Sequence, residues 1–214
     1  MWAAAGSGGG DAADRDGEMP DWVRRQRPEN EVPGSVVLDE VLVGDAETVV
    51  FLSTARAYST GVELTLEVRA RQVTADGAGD LMGAVHGSQG GTGDRLLLGV
   101  EFSDGRRCTN LGHPFPGDGA ESADQPGLLP GGGSGGARSS DLTLFLSPLP
   151  PPGELRVVCL WPQRGLPETI TVLSADMILA AAQRVRVLWP WEPEPEPPWP
   201  PPLDVPDGSW FAQQ

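Results

Sequence analysis

The stretch Val62 to Arg71, VELTLEVRAR, alternates apolar and polar side chains without a break. Val62, Leu64, Leu66, Val68 and Ala70 share one face, and Glu63, Thr65, Glu67, Arg69 and Arg71 share the other. A period of two is the pleat of a β-strand, so the stretch predicts a strand with one face in a core and the other in water. Such a strand cannot stand alone. It needs sheet neighbours for its backbone and a second layer over its apolar face.

Those neighbours are readable on both sides. Val36–Val43 and Thr48–Ala57 are short apolar runs before it, and LLLGVEFSDGRRCTNL after it reads as two strands turning at Asp104-Gly105, where glycine supplies the positive φ of a tight hairpin. SDLTLFLS, ELRVVCLW and ETITVL follow, the first two separated by PLPPPG, whose prolines cannot donate to a ladder. That makes about eight strands with turn signals between most of them. One helix is predicted from Ser174 as N-cap, with Ile178, Ala181, Ala182, Val185 and Leu188 or Trp189 at helical spacing and Pro190 as the stop. The expected fold is all-β: an antiparallel β-sandwich, or a partly closed barrel, with a C-terminal helix.

Gly 29 and Pro 22 in 214 residues mean that part of the chain lies outside this core. Residues 1–30, rich in Gly, Ala and acid, are expected to be disordered; residues 33–190 form the sandwich domain; residues 191–214, opening WEPEPEPPWPPP, form an extended polyproline tail. Residues 112–140 are read as a long loop. Asp+Glu 30 against Lys+Arg 15 makes nucleic acid and anionic membranes poor partners. The N-terminus lacks the pattern of a signal peptide and no apolar run is long enough to span a bilayer, so the expected location is cytoplasmic. Cys108 and Cys159 are expected to be free thiols in that reducing setting.

Several patterns suggest chemistry, and each has a plainer explanation. Within LPGGGSGGAR, Gly131, Gly133 and Gly136 have dinucleotide-fingerprint spacing, while Gly132, Ser134 and Gly136 have nucleophile-elbow spacing. Both motifs need a strand before the glycines and a helix after them, whereas here a proline precedes and a strand pattern follows; a flexible loop is the expectation. Cys108, His113 and Asp118 fall short of a zinc ligand set, and no metal or cofactor is expected. Glu63 and Glu67 lie about 13 Å apart at strand rise, beyond the roughly 5 to 9.5 Å of paired glycosidase carboxylates; with Arg69 and Arg71 they read as a solvated charge ladder. Trp161, Gly165 and Glu168, with Pro162 and Pro167, form the most distinctive cluster: either an aromatic ligand platform or a plug at the end of the sandwich, the plug being favoured.

Pro148–Gly153 (PLPPPG), Trp161-Pro162, Gly165–Thr169 (GLPET) and Leu188–Pro190 (LWP), together with YSTGVELTL and LLGVEFSDGRR, form a combination that resembles a family of uncharacterised all-β proteins from high-GC bacteria. The likeness covers most of residues 33–190. Relatives tend to carry an aromatic residue soon after the glycines, where this chain has Ser139-Ser140. The resemblance implies an all-β fold and no established activity.

With no catalytic constellation, the expected function is a non-catalytic binding or adaptor module for a protein or small ligand, acting through the wet sheet face or the strand-end loops around Trp161, Gly165 and Glu168. Two alternatives are a hydrolase or carbohydrate-active enzyme using loop carboxylates, and partner recruitment through the PxxP spacings of the tail.

Overall fold

The computed structural model describes residues 20–72, 81–86, 95–111, 124–193 and 210. Two antiparallel sheets face each other. The larger holds β2 (Gly34–Gly44), β3 (Thr48–Ala57), β4 (Val62–Ala70), β7 (Gly127–Gly135) and β8 (Ser139–Ser147), in the order β2-β3-β4-β8-β7. The smaller holds β5 (Leu97–Glu101), β6 (Arg107–Thr109), β9 (Glu154–Trp161) and β10 (Leu166–Ser174), in the order β10-β9-β5-β6. The fold is the all-β sandwich expected, and each of the eight predicted strands is present.

Its core is the sum of the period-two faces. Val62, Leu64, Leu66 and Val68 of β4 are buried against Leu98 and Val100 of β5 and Leu155, Val157 and Cys159 of β9, within a single apolar cluster. Hydrophobic burial of this kind is the main term favouring the folded state. The two sheets are also tied by polarity: Thr169 Oγ1 on β10 donates to the Leu42 carbonyl on β2 at 2.7 Å.

Local chemistry sets the turns. Asp45 Oδ1 accepts the backbone N–H groups of Thr48 and Glu47 at 2.7 and 2.8 Å between β2 and β3, and these bonds, that of Thr48 first, lower the carboxyl's pKa. At Asp104-Gly105 the predicted hairpin forms, with Gly105 at φ +86 and the Phe102 N–H bonded to the Arg106 carbonyl.

Several expectations need correction. The glycine-rich stretch is not a free loop, because residues 127–135 pair with β8, skipping register between Pro130 and Gly133. A bulge absorbs what proline and glycine would otherwise break. Between β4 and β5, where no helix was expected, the chain forms a short one, α2 (Leu81–His86), and Leu81, Ala84 and Val85 enter the core. Part of the N-terminal segment read as disordered is placed: after a helical turn, α1 (Asp21–Arg24), the chain reaches β1 (Glu31–Val32). The C-terminal helix, α3 (Ala175–Ala182), is shorter than its periodicity suggested, and β11 (Arg186–Val187) follows it to pair with β1. Ser174 sits at its N-cap without a side-chain capping bond. Residues 1–19 and most of the proline tail lie outside the described residues. No described helix is long and apolar enough to cross a membrane.

Candidate functional site

Trp161, the centre of the predicted cluster, ends β9 and is 0% exposed, part of the core. The Arg164 guanidinium lies over its ring, 4.8 Å from the centroid. Pro162–Arg164 form a 3-10 turn closed by Gly165 at φ +68, a left-handed conformation that glycine adopts without a Cβ clash. Glu168 is exposed, at an irregularity in the β9–β10 register. The three predicted site residues are therefore neighbours in the chain, but they do not converge. An indole sealed on both faces is a plug and offers no platform.

Ser134 stands on β7, opposite Asp141 of β8. Its Oγ donates to Asp141 Oδ1 at 2.5 Å and its N–H to Oδ2 at 3.2 Å. His86 is close by in the fold, yet its Nε2 lies 3.0 Å from the main-chain oxygen of Asp141, so the imidazole is directed at the backbone and not at the serine. A nucleophile elbow also requires a strand-to-helix turn, and Ser134 is inside a ladder. Serine, histidine and acid meet here as structure. Cys108 and Cys159 are free thiols, each pushed up to about 12 by burial, so they carry little thiolate near neutral pH. Among the described residues no three potential ligands gather round a metal position, and His113 and Asp118 lie outside them.

Glu63 departs from the solvated ladder expected of it. It is 4% exposed, and its carboxylate is gripped by Arg56, its cross-strand neighbour, and by Arg27 from the N-terminal arm, Nη1 to Oε2 at 2.9 Å. Tyr58 and Phe145 are buried beside it in edge-to-face contact. Burial raises the Tyr58 pKa, and the Glu63 charge adds to that. Sequence periodicity could not show this, because the cover comes from a segment more than thirty residues away.

The outer face of the smaller sheet remains open. Along one row the register places Arg107, Glu101, Arg156 and Val172 side by side. Arg107 Nε bonds Glu101 Oε2 at 2.6 Å, while Arg156 reaches Glu101 Oε1 at 3.5 Å and Glu154 Oε2 at 3.2 Å. Around Glu101 and Arg156, in the middle of this row, lies a depression of about 270 Å³, lined also by Phe102, Ser103, Gly105 and Glu154. In the next row Gly99 stands between Thr109 and Val158, with Ile170 beyond. Ile170 and Val172 are 61% and 53% exposed. The result is a charged floor at one end and bare aliphatic surface at the other. The only sequence signal for it was the Glu-Arg composition of β5, β6 and β9, which resembles any wet strand face.

Chemically this surface suits binding better than bond cleavage. Arg156 lies between the two carboxylates, occupying the space that a scissile bond would need. In both of its ion pairs Arg156 is about half exposed, and such pairs are worth about 0 to 1 kcal/mol, so a partner's charges can replace them at small cost. No family model, no curated protein and no solved structure matches the chain.

Proposed function

We propose that this protein is a non-catalytic β-sandwich binding module, and that the outer face of its four-stranded sheet receives a polypeptide partner carrying both charged and apolar side chains. The observation that carries this reading is the exposed Arg107–Glu101–Arg156–Glu154 network at the shallow depression, with Ile170 and Val172 uncovered on the same face. Weak, exposed ion pairs exchange readily, and aliphatic area supplies the affinity. Trp161 of the predicted cluster is buried, so the proposed contact is placed on the sheet face.

The test is a photo-crosslinking phenylalanine analogue in place of Ser103, expressed in the native cell. The expected product is an adduct with a partner of mass different from a second copy of the chain, lost on Arg156→Glu. An adduct indifferent to Arg156→Glu overturns the reading. So does hydrolysis of ester or glycoside substrates that Glu101→Gln abolishes, which would restore the enzymatic alternative.

A further inference from the structure

Gly99 stands in the middle of β5, and no contact among the described residues requires a glycine there. A strand glycine ordinarily answers to a positive φ, a bulge, or a backbone or ligand that approaches too closely for a Cβ. Among the described residues the glycines at positive φ are Gly105, Gly153 and Gly165. β5 keeps unbroken register with β9 from Leu97 to Glu101 and with β6 from Gly99 to Glu101, so no bulge is present. A Cβ built on Gly99 lies 3.7 Å from its nearest neighbours, the Cys108 carbonyl oxygen, Thr109 Cγ2 and Val158 Cβ, which is ordinary van der Waals contact. Of the three reasons, approach from outside the described structure is the one left.

The missing side chain leaves a notch on the outer face of the smaller sheet. Thr109 and Val158 flank it two strand spacings apart, about 10 Å, which admits a ring or a branched chain between them. Aliphatic surface borders the notch. Val158 and Ile170 continue its row, and Leu97 faces Leu160 in the row on one side. The row on the other side holds the charges, about 7 Å away at strand rise. There Arg107, 72% exposed, has a carboxylate, Glu101, that it shares with Arg156. We propose that Gly99 is the specificity-determining position of this face: a bulky apolar side chain of the polypeptide partner, aromatic or branched, enters the notch, and an acidic side chain beside it turns to Arg107. A side chain desolvated in such a pocket is the usual anchor of an interface, and exposed ion pairs exchange partners at small cost. The inference rests on the binding reading above and adds to it the anchor that the partner must carry.

Selection of a random peptide library, displayed on phage, against the purified full chain tests it. The enriched peptides are expected to carry Trp, Phe, Leu or Ile with Asp or Glu no more than two residues away. They are expected to bind Gly99→Val at least about tenfold more weakly, because its methyl groups fill the notch, and Gly99→Ala by a smaller factor. Both variants are expected to melt no lower than the wild type, since the added Cβ makes ordinary contacts and a β-branched residue suits a strand. Arg107→Glu weakens the same peptides, and exchanging their acid for lysine restores binding to that variant. Peptides that bind Gly99→Val as tightly as the wild type overturn the notch. If Arg156→Glu still abolishes their binding, the binding face stands without it; if neither variant matters, both readings fall. A melting temperature lowered by Gly99→Val, or a library with no enriched peptide, also overturns the notch.

Discussion

Arg27 Nη1 donates to Oε2 of Glu63 at 2.9 Å, joining residues 36 apart in the chain and fastening the N-terminal arm to the middle of the larger sheet. The bond raises the Arg27 pKa, with Glu63 the leading cause. Arg56 holds the other carboxylate oxygen. Both arginines are about half exposed while the glutamate is buried. The asymmetry decides the consequence of mutation: an arginine released from the pair returns to water, but the carboxylate has nowhere to go.

Arg27→Ala and Arg56→Ala are each expected to lower stability by about 1 kcal/mol, the small value reflecting the half-exposed partners. The double variant is expected to lose more than the sum of the singles, because it alone strands a buried carboxylate. Adding Glu63→Gln to the double variant recovers part of the loss. Urea unfolding of the wild type and these four variants measures the cycle, and strict additivity would show that Glu63 is solvated.

The glycine-rich strand gives a sharp contrast between neighbours. A Cβ at Gly132 meets nothing within 4 Å, whereas one at Gly133 overlaps the Asp141 carbonyl and the His86 ring. Gly132→Ala is expected to change stability by less than about 0.5 kcal/mol, and Gly133→Ala to cost about 2 kcal/mol through overpacking. Equal effects in thermal melts would mean that the segment is an open loop after all.

Thr169 Oγ1 bonds the carbonyl of Leu42 across the two sheets. Thr169→Val keeps the shape and removes the donor, at an expected cost of about 1 to 2 kcal/mol in denaturant unfolding. Thr171→Val, on the same strand, serves as the control and is expected to be near neutral.

The two thiols set an alkaline limit. Burial pushes both thiols up to about 12, so the folded state holds these protons more tightly than the unfolded chain. Their contribution is complete below about pH 9 and is lost as pH rises from there toward 12. Stability is expected to fall across that window, Tyr58 acting in the same direction, and both cysteines are expected to resist thiol reagents at pH 8 unless urea is added. Rapid labelling of the native protein would contradict their burial.

Trp161→Ala is expected to cost about 3 to 5 kcal/mol, the range for emptying a large aromatic site in a core. A platform tryptophan would instead leave the melting temperature nearly unchanged.

How much of this was readable in advance follows from where each signal resides. The core face of β4 was visible in VELTLEVRA, since alternation is local and the apolar members had to be covered whatever covered them. The Asp104-Gly105 turn was visible for the same reason: the φ it needs is a property of one residue. The outer face of β4 was misread. Glu63 and Glu67 look equivalent along the strand, yet Arg27 and Phe145 reach only the first. The strand at residues 127–135 was hidden because its propensity is poor and its pairing comes wholly from β8. For the candidate site, the proline and glycine markers around Trp161 pointed to a turn, whereas the open surface lies where Glu101, Arg156 and Val172 are aligned by three separate strands.

By itself the sequence determined the class of fold, the strands that carry strong alternation and the turns whose backbone geometry demands glycine, because each of these is written in a few consecutive residues. The tertiary structure alone decided which charged face is covered and where a run of glycines is held as a strand. Those outcomes depend on chain segments far apart in sequence, and burial and register exist only once the segments have met.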